Sequence, residues 1–108
     1  MATSRDLKSD LEALGRLDRV IHEPGRLQIV AWLATLEEAD FLFLLNQTGL
    51  TRGNLSSHLS KLETAGYLSA EKAFVERIPR TVYRLTDAGR SAFQRYREEL
   101  MGTLATFG

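Results

Sequence analysis

The polar side chains that most clearly suggest a binding role lie in one short segment, residues 51–66. Its apolar residues Leu55, Leu59 and Leu62 recur at helical spacing, which predicts a helix with a single apolar stripe. The opposite face is small and polar, and it carries no carboxylate before Glu63. Solvated helix faces are usually rich in Glu and Lys, so this composition favours close approach to a DNA groove instead.

Each polar residue type on this face has a known way of contacting DNA. The amide of Asn54 can donate to and accept from adenine, and Arg52 can reach guanine or a phosphate. Thr51 predicts a helix N-cap, and a helix N-terminus attracts phosphate. The competing interpretation is an ordinary exposed helix. The expected DNA contacts of this helix are Thr51, Arg52, Asn54, Ser56, Ser57, His58 and Lys61.

A second basic feature follows the helix, at residues 67–86. Two runs, 67–74 and 80–85, predict strands, with a tip at 75–79 in which Pro79 would lie off the hydrogen-bond ladder. Arginines at such a tip would respond to the width and negative potential of a minor groove. The alternative is a solubilising basic turn. In the strands, Arg84 and Lys72 could reach the DNA backbone, and Arg84 could equally pair with a nearby carboxylate. The expected DNA contacts of this hairpin are Arg77, Pro79, Arg80 and Thr81.

The run 49–68 resembles the recognition helix of winged helix-turn-helix transcriptional regulators. The resemblance covers roughly residues 16–95, including the Ala65-Gly66-Tyr67 junction between helix and strand and the hairpin wing at 67–86, of which 77–86 is the most characteristic part. The chain looks closest to small prokaryotic regulators allied to the multiple-antibiotic-resistance (MarR) and arsenical-repressor (ArsR) groups. The resemblance implies a mainly α fold with a small antiparallel β-hairpin wing, and N- and C-terminal dimerisation helices.

The remaining helices follow from periodicity and caps. A first helix is expected at about 5–21, with a possible break at Gly15, and a second begins at Pro24, where the missing N–H is not needed. Asp40 predicts an N-cap for a short helix at 41–48, after a brief strand at 39–41. Thr86 predicts the N-cap of the last helix, at about 87–105.

The two terminal helices carry apolar residues beyond the span of the wing fold. Regulators that this chain resembles dimerise through these helices, which implies a homodimer with two recognition helices about one DNA turn apart. The alternative is that both helices pack only on their own domain. The expected dimer contacts are Leu7, Leu11, Leu14, Phe93, Tyr96, Leu100 and Leu104.

Composition limits the other possibilities. The 108 residues are expected to form one domain, and the absence of cysteine fits a reducing cytoplasm. The net charge is zero, but residues 51–85 hold six basic and three acidic side chains. This basic segment coincides with the expected recognition helix and wing, as DNA binding requires. No stretch is long and apolar enough for a membrane span.

No motif for metal ligation, a cofactor or catalysis is present: there is no nucleophile–base pair, no phosphate-binding glycine loop and no clustered ligands. We therefore expect no enzyme, but a sequence-specific regulator that binds double-stranded DNA, with repression by promoter occlusion as the simplest mechanism. The competing classes are a winged-helix adaptor that binds proteins and a non-specific architectural DNA-binding protein. The sequence identifies no small-molecule effector.

Overall fold

The computed structural model describes residues 4–108, with side chains from residue 6 onward. Within this range the chain is mainly helical and carries one small sheet, as expected. The elements in order are α1 (Ser4–Leu14), α2 (Pro24–Thr35), β1 (Ala39–Asp40), α3 (Phe41–Thr48), α4 (Arg52–Thr64), β2 (Leu68–Val75), β3 (Ile78–Leu85), α5 (Asp87–Leu104) and a 3₁₀ turn (Ala105–Phe107). No helix within the described range is long and apolar enough to cross a membrane.

The prediction of a first helix at 5–21 is wrong at its C-terminal end. Helix α1 stops at Leu14, and residues 15–23 form a series of turns. The Asp18 carboxylate accepts hydrogen bonds from the N–H groups of Val20 and Ile21, at 2.9 and 3.1 Å. Such a local side-chain bond offers the backbone an alternative to the helical ladder, so the helix does not continue. Gly15, at the predicted weak point, follows the last helical residue.

Helix α2 is the centre of the core, and it begins at Pro24 as predicted. The side chain of Glu23 caps it by accepting hydrogen bonds from the N–H groups of Gly25 and Arg26, at 2.9 and 2.8 Å. Apolar residues on several sides of α2 are fully buried, so the helix packs against both α3 and α4. The main core consists of Ile29, Val30, Leu33, Ala39, Leu44, Leu55, Leu59, Leu62, Leu68, Tyr83 and Leu85.

A second, smaller cluster attaches the turn segment 15–23 to α5. Leu17 and Ile21 are buried there against Ala92 and Tyr96. The hydroxyl of Tyr96 lies 2.7 Å from Nδ1 of His22, so this contact is polar as well as apolar. The segment between α1 and α2 is therefore an ordered part of the fold that packs on the last helix.

The sheet has the order β1-β3-β2 and is antiparallel throughout. Strands β2 and β3 pair along their whole length, from Leu68 opposite Leu85 to Val75 opposite Ile78. The predicted tip at 75–79 is therefore too long, because the turn has only two residues, Glu76 and Arg77. Both have positive φ, 51° and 68°, as a type I′ hairpin turn requires.

Pro79 lies inside β3, opposite Phe74, rather than at the tip. The pair next to a two-residue turn is hydrogen-bonded, so the following pair is not, and the missing N–H of Pro79 costs the β2–β3 ladder nothing. Pro79 therefore avoids the hydrogen-bond ladder, as expected. It does so through its register within β3 and not by lying outside the strand.

The molecule is elongated. Its radius of gyration is 16.5 Å and its extents are 61 × 26 × 21 Å, whereas a compact domain of this length has a radius of gyration of about 13 Å. Helix α1 packs on α5, and the Thr106 hydroxyl donates a hydrogen bond to the Asp10 carboxylate. The two terminal segments therefore form one arm.

We expect Gly89→Ala to destabilise the fold, because α5 begins in direct contact with the backbone that follows α4. A Cβ at position 89 would lie 2.2 Å from the carbonyl oxygen of Tyr67, so backbone must move. The expected loss is about 1–3 kcal/mol in the free energy of unfolding, measured by urea denaturation. Gly53→Ala is the control, since no atom lies within 4 Å of its Cβ. A Gly89→Ala variant as stable as Gly53→Ala would contradict this packing.

Candidate nucleic-acid interface

Helices α3 and α4 meet at a short turn whose geometry is determined by two caps. Gly49 ends α3 in the left-handed region at φ 69°, and its N–H donates to the carbonyl oxygen of Leu45 at 3.2 Å. The Thr51 hydroxyl then caps α4 by accepting from the N–H of Asn54 at 3.1 Å. The predicted caps Asp40, Thr51 and Thr86 are all confirmed. These local hydrogen bonds end α3 and begin α4, so the turn between the two helices is short.

The orientation of α4 about its own axis follows from its apolar stripe. Leu55, Leu59 and Leu62 are completely or almost completely buried against the core. The opposite face is therefore exposed, and within α4 it has no carboxylate before Glu63, as predicted. The exposed residues of this face, which we call the recognition face, are Arg52, Gly53, Asn54, Ser56, Ser57, Ser60 and Lys61.

His58 lies off the recognition face, although the sequence placed it among the expected DNA contacts. Its ring is mostly buried, with Nδ1 at 3.4 Å from the Glu23 carboxylate and 3.2 Å from an Arg26 guanidinium nitrogen. A Cβ at Gly25 would collide with this ring, so α2 and α4 approach closely here. The role of His58 is to join α4 to the N-terminus of α2.

Glu23 is the acceptor at the centre of this contact. Partial burial raises the pKa of its carboxyl group, but hydrogen bonds from the N–H groups of Arg26 and Gly25 and the nearby His58 and Arg26 lower it more. The net result is a pKa below the ordinary value of 4.5. Glu23 therefore stays ionised and holds α2 and α4 together at neutral pH.

Arg52 lies at the start of the recognition face and leans on α3. Its guanidinium carbon is 6.0 Å from the centre of the Phe41 ring, the distance of a cation–π contact. The contact restrains a long side chain at the N-terminus of α4 while leaving it exposed. The donors of Arg52 thus remain available to a phosphate or a base edge.

The wing, defined as β2, β3 and their turn, presents its arginines unequally. Arg77 is exposed at the turn, as expected. Arg80 instead bends back to the Asp40 carboxylate, 3.1 Å away, and so fixes the base of the wing to the N-cap of α3. Thr81 is half-buried beside it, and Pro79 is exposed.

The sequence left two alternatives open for Arg84: contact with the DNA backbone or pairing with a carboxylate. Its guanidinium group donates to Glu38 at 2.7 Å and to Glu71 at 2.9 Å, so it pairs with carboxylates across the sheet. The hydrogen bond to Glu71 raises the pKa of Arg84 further, and Glu38 adds to this. Arg84 is therefore a sheet residue whose charge is neutralised within the chain.

Grooves flank α4 on two sides. One, of about 560 Å³, separates the start of α4 from the wing and includes Arg52, Ile78, Pro79 and Arg80 in its walls. The other, of about 430 Å³, lies beside the C-terminal half of α4 and is lined by Arg19, Arg26 and Lys61 together with apolar atoms. Sequence reasoning missed Arg19 and Arg26, because only the tertiary packing of the turn segment brings them beside α4.

The predicted dimer contacts divide into three groups by burial. Tyr96 is buried and bonded to His22 within its own chain, so almost none of its surface is left for a partner. The half-buried Leu7, Leu14, Phe93 and Leu100 lie on the arm, and the last three pack on the second cluster. The large apolar side chains that remain exposed on the arm are Leu11, Met101, Leu104 and Phe107.

No group of three or more His, Asp or Glu side chains in the described part of the chain could hold a metal ion. The geometry instead defines a helix-turn-helix followed by a wing: an exposed basic helix, a capped turn before it and a hairpin beside it. Proteins of this class that present such a helix place it in the major groove of DNA.

Comparison with known proteins agrees with this class. Residues 26–104 match the sequence model of the winged helix DNA-binding domain family, so the chain belongs to that family. It is 34% identical over 83 residues to the uncharacterized protein MJ0432 of Methanocaldococcus jannaschii, covering 77% of this chain and 90% of the relative.

Two solved structures extend the comparison. A transcriptional regulator homologue from Pyrococcus horikoshii OT3 superposes with a TM-score of 0.83 at 31% identity, over 89% of this chain and 97% of the other. A MarR-family transcriptional regulator from Silicibacter pomeroyi superposes with a TM-score of 0.64 at 17% identity, over 93% and 66%. The fold is that of MarR-like regulators, and the chain is a winged helix DNA-binding domain.

We expect Glu23→Gln to lower stability in a pH-dependent way. Because the folded pKa lies below 4.5, the ionised carboxylate stabilises the fold above that pH, and this contribution disappears as the pH falls through the folded pKa. The difference between wild type and Glu23→Gln in urea denaturation should therefore be present at pH 7 and vanish in acid. Glu12→Gln, at an exposed site on α1, serves as the control. A difference independent of pH would show that the charge of Glu23 does not matter.

Proposed function

We propose that this chain is a homodimeric repressor that binds double-stranded DNA in a sequence-specific manner. The observation that carries the proposal is the recognition face: an exposed face of a capped helix, with no carboxylate before Glu63, beside a wing whose turn carries Arg77. A protein adaptor does not require this combination of charge and shape. Repression would follow from occupation of a promoter, because bound protein excludes the transcription machinery.

In this proposal the N-terminal half of α4 reads base edges in the major groove. Asn54 is suited to adenine, since its amide presents a donor and an acceptor together. Arg52 would contact a guanine or a phosphate, and the Thr51 cap leaves the helix N-terminus directed at the backbone. Ser56 and Ser57 are short enough to let the helix approach closely.

Cations on both flanks of α4 would bind the two phosphate strands that border the major groove. Arg52 and the wing lie on one side, and Arg19 and Lys61 lie on the other. Phosphate contacts position a protein without reading sequence, whereas base contacts specify the site. Lys61 and Arg19 would therefore contribute affinity, and Asn54 would contribute specificity.

The arm formed by α1 and α5 supports the homodimer. Met101 and Leu104 are 65% and 48% exposed on α5, and Leu11 and Phe107 are also exposed on the same arm. Large apolar side chains exposed on one element suit a protein interface. A two-fold pairing of arms would double the small positive charge of the DNA-binding region and place two copies of α4 on one face of the duplex.

The proposal is tested by selection from a library of random-sequence duplexes. A homodimeric reader should recover a pseudo-palindrome whose half-sites are centred about 10 base pairs, or one helical turn, apart. Uniform recovery that disappears with added salt would instead indicate an architectural protein. Absence of any recovery would indicate an adaptor.

We expect Asn54→Ala to reduce binding to the selected duplex by about 1–3 kcal/mol, with little change in binding to a scrambled duplex. The physical reason is that base-edge hydrogen bonds exist only in the specific complex. Fluorescence anisotropy titrations on both duplexes measure the difference. Asn46→Ala, an exposed asparagine on α3 outside the recognition face, is the matched control. Equal losses on both duplexes would show that Asn54 does not read bases.

We expect Leu11→Glu with Leu104→Glu to convert a dimer into a monomer, because four charges would then lie in an apolar interface. Sedimentation equilibrium measures the mass, and Leu42→Glu, an exposed leucine on α3, should leave it unchanged. The monomer should retain weak, salt-sensitive DNA binding and lose preference for the pseudo-palindrome. A monomeric wild type, or an unchanged mass in the double variant, would contradict the dimer.

A further inference from the structure

The wing ends in exposed apolar side chains, which is unusual for a hairpin in water. Phe74 is 75% exposed, Ile78 is 53% exposed and Val75 is 47% exposed, and the neighbouring Pro79 is also exposed. These residues contribute nothing to either apolar cluster of the chain. Large apolar groups held in water at the end of a projecting element indicate a binding surface.

The register makes this tip apolar on both faces of the hairpin. Phe74 lies opposite Pro79, and Val75 lies opposite Ile78, so each face of the sheet receives one cross-strand pair. The strands are paired up to a two-residue turn, which leaves no loose loop at the end. The tip is therefore a thin, rigid, apolar wedge.

Both residues of the turn carry side chains, although glycine is the usual residue at positive φ. Glu76 and Arg77 have φ values of 51° and 68°, and the left-handed region costs a non-glycine residue conformational energy. Strain of this kind concentrates at functional sites. Here it places the Arg77 side chain at the very end of the wedge.

Charge alone does not account for binding of DNA by this tip. Arg77 is next to Glu76 in the turn, and Arg80 is paired with Asp40. The positive charge at the tip is thus largely offset within the chain. The tip would therefore bind a partner mainly through its apolar surface.

The wedge is continuous with the recognition face. Ile78 and Pro79 form one wall of the groove whose other side includes Arg52, at the start of α4. A duplex that accepts α4 in its major groove presents the adjoining minor groove to the wing. This placement favours a DNA minor groove as the partner of the wedge.

We propose that the wing tip is an apolar wedge that opens the minor groove and bends the DNA, with Phe74 inserted at a base step and Ile78, on the opposite face of the hairpin, packed against the sugars of the groove. A minor groove about 6 Å wide must open to admit such side chains, and apolar insertion of this type kinks a duplex by about 20–90°. This inference rests on the proposed DNA binding. Arg77, at the end of the wedge, contacts the adjoining phosphates and orients the insertion.

The test uses the full chain and the duplex recovered by the random-sequence selection, labelled at both ends for energy transfer. Wild type should shorten the end-to-end distance on binding. Phe74→Ala and Ile78→Ala should remove most of the bend and weaken affinity about tenfold, with an unchanged salt dependence. Phe74→Leu, which keeps an apolar side chain, should bend the duplex as wild type does. Arg77→Ala should reduce the salt dependence and keep the bend.

The outcomes separate this inference from the proposed function. Specific binding to a straight duplex would overturn the wedge and leave the proposed function intact, as would a bend unaffected by Phe74→Ala. Loss of self-association in Phe74→Ala with an unchanged bend would assign the tip to a second copy of the chain and also overturn the wedge. Failure of the wild type to bind any duplex would overturn both. All substituted side chains are exposed, so the variants should fold.

Discussion

The burial of three leucines of α4 is the constraint on which the rest of the structure depends. Leu55, Leu59 and Leu62 lie on one helical stripe, and α2 and the sheet remove that stripe from water. Because a helix turns by about 100° per residue, this burial leaves no freedom in which side chains face outward. Helix caps and the contact between Glu23 and His58 then fix the position of α4 along and across α2. The recognition face is a consequence of packing.

Ion pairs within the chain use arginines of the wing, and few of these arginines remain available to a partner. Arg80 binds Asp40 and thereby joins the wing to α3, and Arg84 joins β3 to its neighbours. Each of these ion pairs uses an arginine that the sequence offered as a candidate for DNA. The cations that remain exposed beside α4 are few, so non-specific attraction should be weak. The affinity for DNA can be raised without more charge on the domain in two ways. One is to bind with two copies of the domain, and the other is to insert an apolar wing tip.

Sequence motifs correctly predicted those parts of the fold that depend on interactions between neighbouring residues. Asp40, Thr51 and Thr86 cap helices within three residues of themselves, and Pro24 begins α2 for a reason internal to the first turn. The misplaced features depend on distant partners or on unusual backbone. His58 was assigned to DNA because helical spacing alone cannot reveal Glu23, which lies on another element. The two-residue turn was missed because neither of its residues is the Gly or Asn that normally marks positive φ.

The most direct measurement of the central claim, that α4 occupies the major groove of DNA in two copies, is methylation protection on the selected duplex. Dimethyl sulfate reports guanine N7 in the major groove and adenine N3 in the minor groove. We expect two patches of protected guanines one helical turn apart on one face of the duplex, with altered adenine reactivity on their outer sides, next to the wings. Protection of adenines alone, or of a single patch of guanines, would contradict the claim.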